Sequence, residues 1–537
     1  MRLLSSIYLV GIYLIFASIG CHKPIVYENE ADTDVYTIID KKWSDEFGPQ
    51  TNFTINDNTA SFEKHQQVPI NPDVQALKLT DAVILATAHN RQYQTEKENL
   101  YLQALALTSV RHRYEPNPFA RALINYTRDG SDELVTTEGG LGFNQLLATG
   151  ATISAEVAAS WVNVLTGDLE GGLAGVLSSS VTQPLLRGAG SKFALENLTQ
   201  AERDTLYQLR TFSRFRKTFV VSVATEYYRL LQLWDRLQNA QQNYQTLTWV
   251  YERMSNLADS GRLPRFELRQ GYQDKLHAND ILLQAQKDYQ QALDEFKIVL
   301  AIPTTDDIAP DPNQLDAIKE IGVVKHNFSQ QQAIETALSL RLDLATQADQ
   351  IDDAQRKVEI AQDNLRAGID LVAATRLNSQ QQADMLALKN LDDKYLLGLK
   401  LDLPLDRLEE RNLYRQAQIH HAQTQRDYQQ TLDLVKLQVR QAYRDLIEAA
   451  DRYQLQIESL NLASKRFDNT LDLLQYGRTN TRDVLDAQRD LFEAGDQATG
   501  ALVDYTVATL NFYRDTGVLQ VRPDGMWQQQ IQKLARE

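Results

Sequence analysis

Two stretches of the chain repeat the same interval between apolar positions. Val223, Tyr227, Leu230, Trp234 and Leu237 follow steps of 4, 3, 4 and 3, and so do Val439, Tyr443, Leu446, Ala450 and Tyr453. A mean step of about 3.5 is the period of helices that wrap as left-handed coiled coils. Both sets lie in proline-free segments, Lys192 to Ala258 and Leu408 to Gln475. At ~1.5 Å per residue, each predicts a continuous helix of ~100 Å, longer than a globular domain holds. Four more proline-free segments read as helices: Lys78 to Glu115, Arg265 to Leu300, Ser329 to Ala367 and Thr481 to Gly517. All six are rich in strong helix formers, and proline is expelled from helix interiors by its ring clash and missing N–H.

The two long segments are copies. The apolar ladder recurs at a constant offset in numbering (439 − 223 = 216), which also carries Gly261 onto Gly477, Arg262 onto Arg478, Tyr289 onto Tyr505 and Phe296 onto Phe512. Upstream, Ala82-Val83 aligns with Ala333-Ile334 at a larger offset (333 − 82 = 251). The chain is an internal duplication, and the difference, 251 − 216 = 35, places an excess in the first copy between its first and second helices.

Composition changes where the excess falls. From Pro118 to Gly190 the chain turns to Gly, Ser, Thr and Ala, and Ala151 to Trp161 alternates. Ala151, Ile153, Ala155, Val157, Ala159 and Trp161 share one face, opposite Thr152, Ser154, Glu156, Ala158 and Ser160. That is the period of a β-strand. Leu397, Leu399, Leu401 and Leu403 alternate with Gly398, Lys400 and Asp402 in the second copy, with further strand candidates at Ala120 to Arg128, Gly175 to Gln183 and Leu371 to Asn378. Two strands per copy are expected, four per chain. An apolar face ending in an aromatic, backed by a polar face, suits a strand of a membrane barrel. A small soluble sheet packed on helices fits the alternation as well. Four strands cannot close alone, because single-chain outer-membrane barrels need ~8 or more. In lipid, such a chain must oligomerise.

With 71 acidic against 55 basic side chains the formal net charge is −16, which excludes an electrostatic nucleic-acid binder. Mean hydropathy is −0.41, and after residue 20 no apolar run reaches the length of a transmembrane helix. The first twenty residues, Arg2 followed by an apolar stretch to Ile19, read as a signal peptide. Cys21, the sole cysteine, follows in Ala17-Ser18-Ile19-Gly20-Cys21, which resembles a bacterial lipoprotein processing box with Ser18 in place of the usual leucine. The resemblance implies cleavage before Cys21, its acylation with palmitate or a similar chain, and outer-membrane sorting; the other reading is a free thiol after an ordinary signal sequence.

The duplication, Ser180-Val-Thr-Gln-Pro-Leu-Leu-Arg-Gly188 after the first-copy strands, Gly261-Arg-Leu-Pro264, and Gly477-Arg-Thr-Asn-Thr-Arg-Asp-Val-Leu-Asp-Ala-Gln488 together resemble the TolC-like outer-membrane efflux family. The resemblance covers roughly Leu77 to Leu519. It implies a mainly helical chain with membrane β-structure: a duplicated long-helix α-barrel, plus four strands per chain toward a 12-stranded β-barrel in a homotrimer. It places a signal peptide at 1–20, a periplasmic extension at 21–76, a first repeat at 77–303 (strands about 118–186, tip near 261), a linker at 304–328, a second repeat at 329–520 (strands about 370–405, tip near 477) and a tail at 521–537. The excess in the first copy departs from the shortest family members and is expected as an enlarged surface loop or an extra hairpin.

In the family the helical tips close the periplasmic mouth. Asp483 and Asp486, three apart and so on one helix face, are the implied gate carboxylates, with Glu267 as the first-copy partner of Asp483. Arg262, Arg478 and Arg482 are candidates for ion pairs between neighbouring tips, with Gly261 and Gly477 making the turns. Asn480 and Asp483 also fit an N-cap with an acid that complements the helix dipole, and both roles can coexist. The implied activity is that of an exit duct for a tripartite efflux or type I secretion system, with a periplasmic adaptor, an inner-membrane transporter and outer-membrane lipid as partners. No cofactor, metal or enzymatic motif is expected; His420-His421 reads as a solvated helical surface. The rival reading is a periplasmic coiled-coil adaptor or structural lipoprotein, but a single hairpin between β domains does not produce two long-helix copies.

Overall fold

The computed structural model describes residues 23–50, 53–55, 76–130, 132–166, 172–324, 328–379, 391–476, 478–522 and 527–528. The signal segment and Cys21 lie outside the described residues. The order of elements is α1 (Pro24–Lys42), α2 (Leu79–His89), α3 (Arg91–His112), β1 (Asn117–Asp129), β2 (Asp132–Leu146), β3 (Thr152–Thr166), β4 (Gly172–Pro184), α4 (Ser191–Ala194), α5 (Glu196–Asp259), α6 (Arg265–Leu300) and α7 (Asn313–Ile321). The second half gives α8 (Gln330–Leu340), α9 (Leu342–Asp363), β5 (Gly368–Ser379), β6 (Leu391–Asp402), α10 (Leu408–Gln475), α11 (Thr481–Asp515), β7 (Gln520–Val521) and β8 (Trp527–Gln528).

The element bounds reproduce both sequence offsets. Helices α2 and α3 recur as α8 and α9 with the upstream offset at both ends (330 − 79 = 251 and 363 − 112 = 251), and β1 and β5 begin the same distance apart. Helices α5 and α10 end with the downstream offset (475 − 259 = 216), and α6 and α11 begin with it. The long helices α5 and α10 contain 64 and 68 residues, ~100 Å each. Among the described residues no helix is long and apolar enough to cross a membrane.

The chain divides into two compact units. The first comprises Met1–Lys42, Leu100–Leu209 and Thr346–Tyr428 and holds one sheet, in the order β1-β2-β3-β4-β5-β6, antiparallel throughout. Six strands, rather than the expected four, are the correction the structure makes. The first copy supplies four and the second two, so the excess in the first copy folds as the hairpin β2–β3. Strand β2 escapes a pattern search because glycines interrupt it at 139, 140 and 142, and glycine is a poor strand former. Those glycines answer to their neighbours: a Cβ on Gly142 would stand 2.5 Å from the Ala155 carbonyl oxygen and 2.6 Å from Phe119 Cζ, and one on Gly140 would meet Glu156 Oε1 at 2.5 Å. Arg121 reaches across Gly140 to pair with Glu156.

Register sorts the sheet into two faces. One carries Ile124, Leu141, Val157, Leu177, Ala373 and Leu397, and the other Arg121, Glu156, Ser180, Ala374 and Lys400. The apolar face is uncovered: Ile124 is 70% exposed and Leu397 78%. In the same unit α1 buries Val35, Ile38 and Ile39, while Tyr101 donates to Asp32 at 2.7 Å and Lys42 joins Arg111 on Glu202. Burial works to raise Glu202, but these two cations hold its carboxyl below the usual range. Asp353, on α9, accepts from Tyr207 at 2.6 Å and pairs with Arg203 and Arg356.

The second unit comprises Trp43–Asn99, Arg210–Ala345 and Gln429–Glu537. Its core repeats with the duplication. Tyr227 lies 6.0 Å from Phe296 between ring centroids, and at the matching positions of the second copy Tyr443 lies 6.3 Å from Phe512.

Candidate functional site

The second unit brings the two helix-turn-helix tips onto one apolar cluster. Leu247, Val250 and Met254 of α5, Ala278 of α6 and Leu485 of α11 are buried together, with Leu263 and Leu268 packed against them. Each long helix ends in the same bond. The Arg262 N–H donates to the Leu257 carbonyl at 2.8 Å, and in the second copy the matching Arg478 N–H donates to that of Leu473 at 2.9 Å. This six-to-one closure needs a left-handed residue just past the helix, supplied at the first tip by Gly261 with φ +74°; Gly477 lies outside the described residues. Pro264 then holds the extended conformation that starts α6, and Glu267 falls half-buried in its first turn.

At the second tip Asn480 caps α11: its side chain accepts the Asp483 N–H at 2.9 Å, and the Asp483 carboxylate accepts the Thr479 hydroxyl at 2.6 Å. Val484, Leu485, Ala487 and Gln488 are buried, which leaves Asp483 and Asp486 on the opposite side of the helix, Asp483 exposed and Asp486 partly so. Asp486 pairs with Arg489 at 3.0 Å. Capping and a surface-facing acidic pair therefore coexist. Arg262, Arg478 and Arg482 are all exposed, and no ion pair within the chain engages them among the described residues.

Asp274 was not singled out by sequence reasoning. Its Oδ2 is buried without a hydrogen-bond partner among the described residues, and burial raises its pKa, with Arg489 opposing the shift and Asp486 adding to it. Asp274 and Asp486 thus share the field of Arg489. The available signal was the duplication, since 274 + 216 = 490 and Asp490 is also acidic; Asp490 pairs with Arg466 of α10.

Farther along the same helices lies a polar seam. Asp235 of α5 accepts from Thr499 at 2.6 Å, Asn239 donates to Asp235 and to Asp496 at 3.3 Å each, and Gln488 donates to Asn243 at 3.1 Å. Burial lifts Asp496 to about 6, against the Asn239 hydrogen bond and Arg236, with Asp235 adding to the lift. A cleft of about 490 Å³ opens beside it, lined by Asp235, Asn239, Tyr453, Phe467 and Phe492. Among the described residues no three His, Cys, Asp or Glu side chains converge as metal ligands.

Residues 333–518 match the model of a family described as outer membrane efflux protein. No curated protein matches by sequence. Among solved structures, the fold superposes on CusC at 14% identity (TM-score 0.60, covering 82% of this chain and 92% of that one). It superposes equally on the open-state MtrE outer membrane channel of Neisseria gonorrhoeae at 13% identity (TM-score 0.60, 82% and 88%). The CmeC outer membrane channel of Campylobacter jejuni is similar at 13% identity (TM-score 0.58, 92% and 94%). Likeness at such identity is a likeness of fold.

Proposed function

On the match of residues 333–518 to the outer membrane efflux protein family and the likeness of fold, we propose that the chain belongs to that family and is the outer-membrane exit duct of a tripartite efflux or type I secretion system. It conducts passively what an inner-membrane transporter and a periplasmic adaptor deliver. Three copies assemble, the sheet spans the outer membrane of a Gram-negative cell, and the long helices enclose the duct in the periplasm. Cys21, acylated after signal cleavage, anchors each copy to the membrane, because several chains together bind lipid stably where one does not. Asp483, Asp486 and Glu267 ring the periplasmic mouth, and Arg262, Arg478 and Arg482 pair with neighbouring tips.

The observation that carries this reading is the six-stranded sheet with one face apolar and uncovered, joined in one chain to two helices of 64 and 68 residues. In water that face is an aggregation hazard; in lipid it is what a barrel strand requires. An adaptor has no use for it. The test is fractionation followed by planar-bilayer recording. A protein extracted from the outer membrane only with detergent, migrating as a heat-modifiable trimer and forming discrete ion channels, is expected. A soluble monomer without conductance sinks the reading. Labelling with a palmitate analogue tests the anchor, and Cys21→Ser should abolish it.

A further inference from the structure

Resting on the exit-duct reading and its trimer, we propose that the outer-membrane wall is an 18-stranded barrel, closed where β6 of one copy pairs antiparallel with β1 of the next. Six strands are too few to close alone, and β1 and β6 are the edges of the sheet, bonded only to β2 and β5. In hydrocarbon an open edge leaves a row of N–H and C=O groups without partners. The occupant that satisfies both edges at once is a second copy of this chain.

Three features fit the edges to each other. Strand count per copy is even, so β6 and β1 run in opposite directions and any ring of copies stays antiparallel throughout. Their lengths match, at 13 residues for β1 and 12 for β6. Their faces also match. Beginning with Asn117 opposite Asp402, where each strand meets its helical end, places Ile124 opposite Tyr395 and Ala122 opposite Leu397 on the apolar face. The same register sets Leu123 opposite Leu396 on the polar face. Those two leucines are 50% and 60% exposed in the single chain, and at the seam each covers the other. A one-residue slip would bring Lys394 and Lys400 to the side of Ile124, in lipid.

Three copies then give 3 × 6 = 18 strands. Barrel diameter grows roughly linearly with strand number, and ~16–18 strands leave an aqueous channel, so this pore is about 1.5 times as wide as one of 12. The wall inside mixes polar groups with apolar ones such as Phe119, Val162 and Val372, and Arg121 and Glu156 neutralise each other. The outer-membrane end is therefore no filter, and selection falls to the helical tips.

The test uses the full-length protein in membranes with Leu123→Cys and Leu396→Cys together, oxidised before electrophoresis; the only native cysteine is Cys21. Covalent trimers are expected, with neither single variant cross-linking. Ala122→Cys with Leu397→Cys reports the same seam from the lipid side and guards against a folding defect in the first pair. Cryo-electron microscopy of the unmodified trimer should count 18 strands. A conducting trimer with 12 strands, or cross-links confined to one chain or ending at dimers, overturns the 18-stranded wall. A wild-type protein that neither trimerises nor conducts fails earlier, at the exit-duct reading.

Discussion

The Tyr227 hydroxyl donates to the Leu77 carbonyl at 2.8 Å. The same bond exists in the second copy, where Tyr443 donates to the Phe328 carbonyl (443 − 227 = 216 and 328 − 77 = 251), but there it is stretched to 3.4 Å. Duplication has preserved the topology and let the geometry drift. Tyr227→Phe should therefore destabilise the protein by about 1 kcal/mol, the usual net worth of such a bond. Tyr443→Phe should cost little, since a contact of 3.4 Å is near the limit of bonding. Thermal melts of the two variants side by side decide it, and equal losses would remove any distinction between the copies.

The seam between α5 and α11 makes stability depend on pH. Burial lifts Asp496 to about 6, above the unfolded value of ~3.9, so the folded state holds this proton more tightly than the unfolded one. The associated stability is complete below about pH 4 and is lost as pH rises through about 6. Asp496→Asn keeps the shape and removes the charge. It should raise stability at pH 8 by roughly 1 to 2 kcal/mol after allowance for solvent screening, less what Arg236 forfeits as its partner, and change little at pH 4. Denaturation midpoints measured from pH 4 to 8 test this. A difference independent of pH would mean that Asp496 does not titrate in this range.

Within β2, Gly142 has no room for a methyl group because its neighbour on one side is backbone, the Ala155 carbonyl. Gly142→Ala should cost about 1 to 3 kcal/mol, the scale of an overpacked site, and lower the temperature at which trimers dissociate in detergent. Gly140→Ala meets the carboxylate tip of Glu156 and the flexible side chain of Arg121, which can swing aside, so its loss should be smaller. Heat-modifiability on gels ranks the two. A reversed order would show that the Arg121–Glu156 pair, rather than backbone crowding, holds β2 in place.

What the sequence reveals, and what it conceals, follows the range of the forces involved. The outer limits of the helices were legible because proline, propensity and a 3.5-residue period are local, and both duplication offsets reappear in the element bounds; the breaks at Asn90 and Arg341, where one extended residue divides Lys78–Glu115 and Ser329–Ala367 into two helices each, were not. Strand β3 was legible by its alternation, from Ile153 to Trp161. Strand β2 was not, since Gly140 and Gly142 are chosen by Arg121, Glu156, Phe119 and Ala155 across two other strands. Asp483 could be read as an N3 acid from Asn480 alone. Asp274 could not, because its character comes from burial and from Arg489 and Asp486 on another helix.

At the second tip, charge and fold can be separated. Asp483 is held by the Asn480 cap and the Thr479 hydroxyl, and Asp486 by Arg489. In the proposed trimer the two positions would give 3 × 2 = 6 carboxylates about one axis, a ring that favours cations. Asp483→Asn removes three charges and up to ~1 kcal/mol of helix-dipole stabilisation. Asp486→Asn removes three and also leaves Arg489 without its partner, so the local sign turns positive. Reversal potentials under a salt gradient should therefore shift away from cation preference in both, more steeply for Asp486→Asn. Asn480→Ala should cost about 1 kcal/mol of stability while leaving selectivity unchanged, because it alters the cap and not the charge. If neither aspartate variant moves the reversal potential, these carboxylates do not face the constriction, and their role is confined to capping α11 and pairing with Arg489.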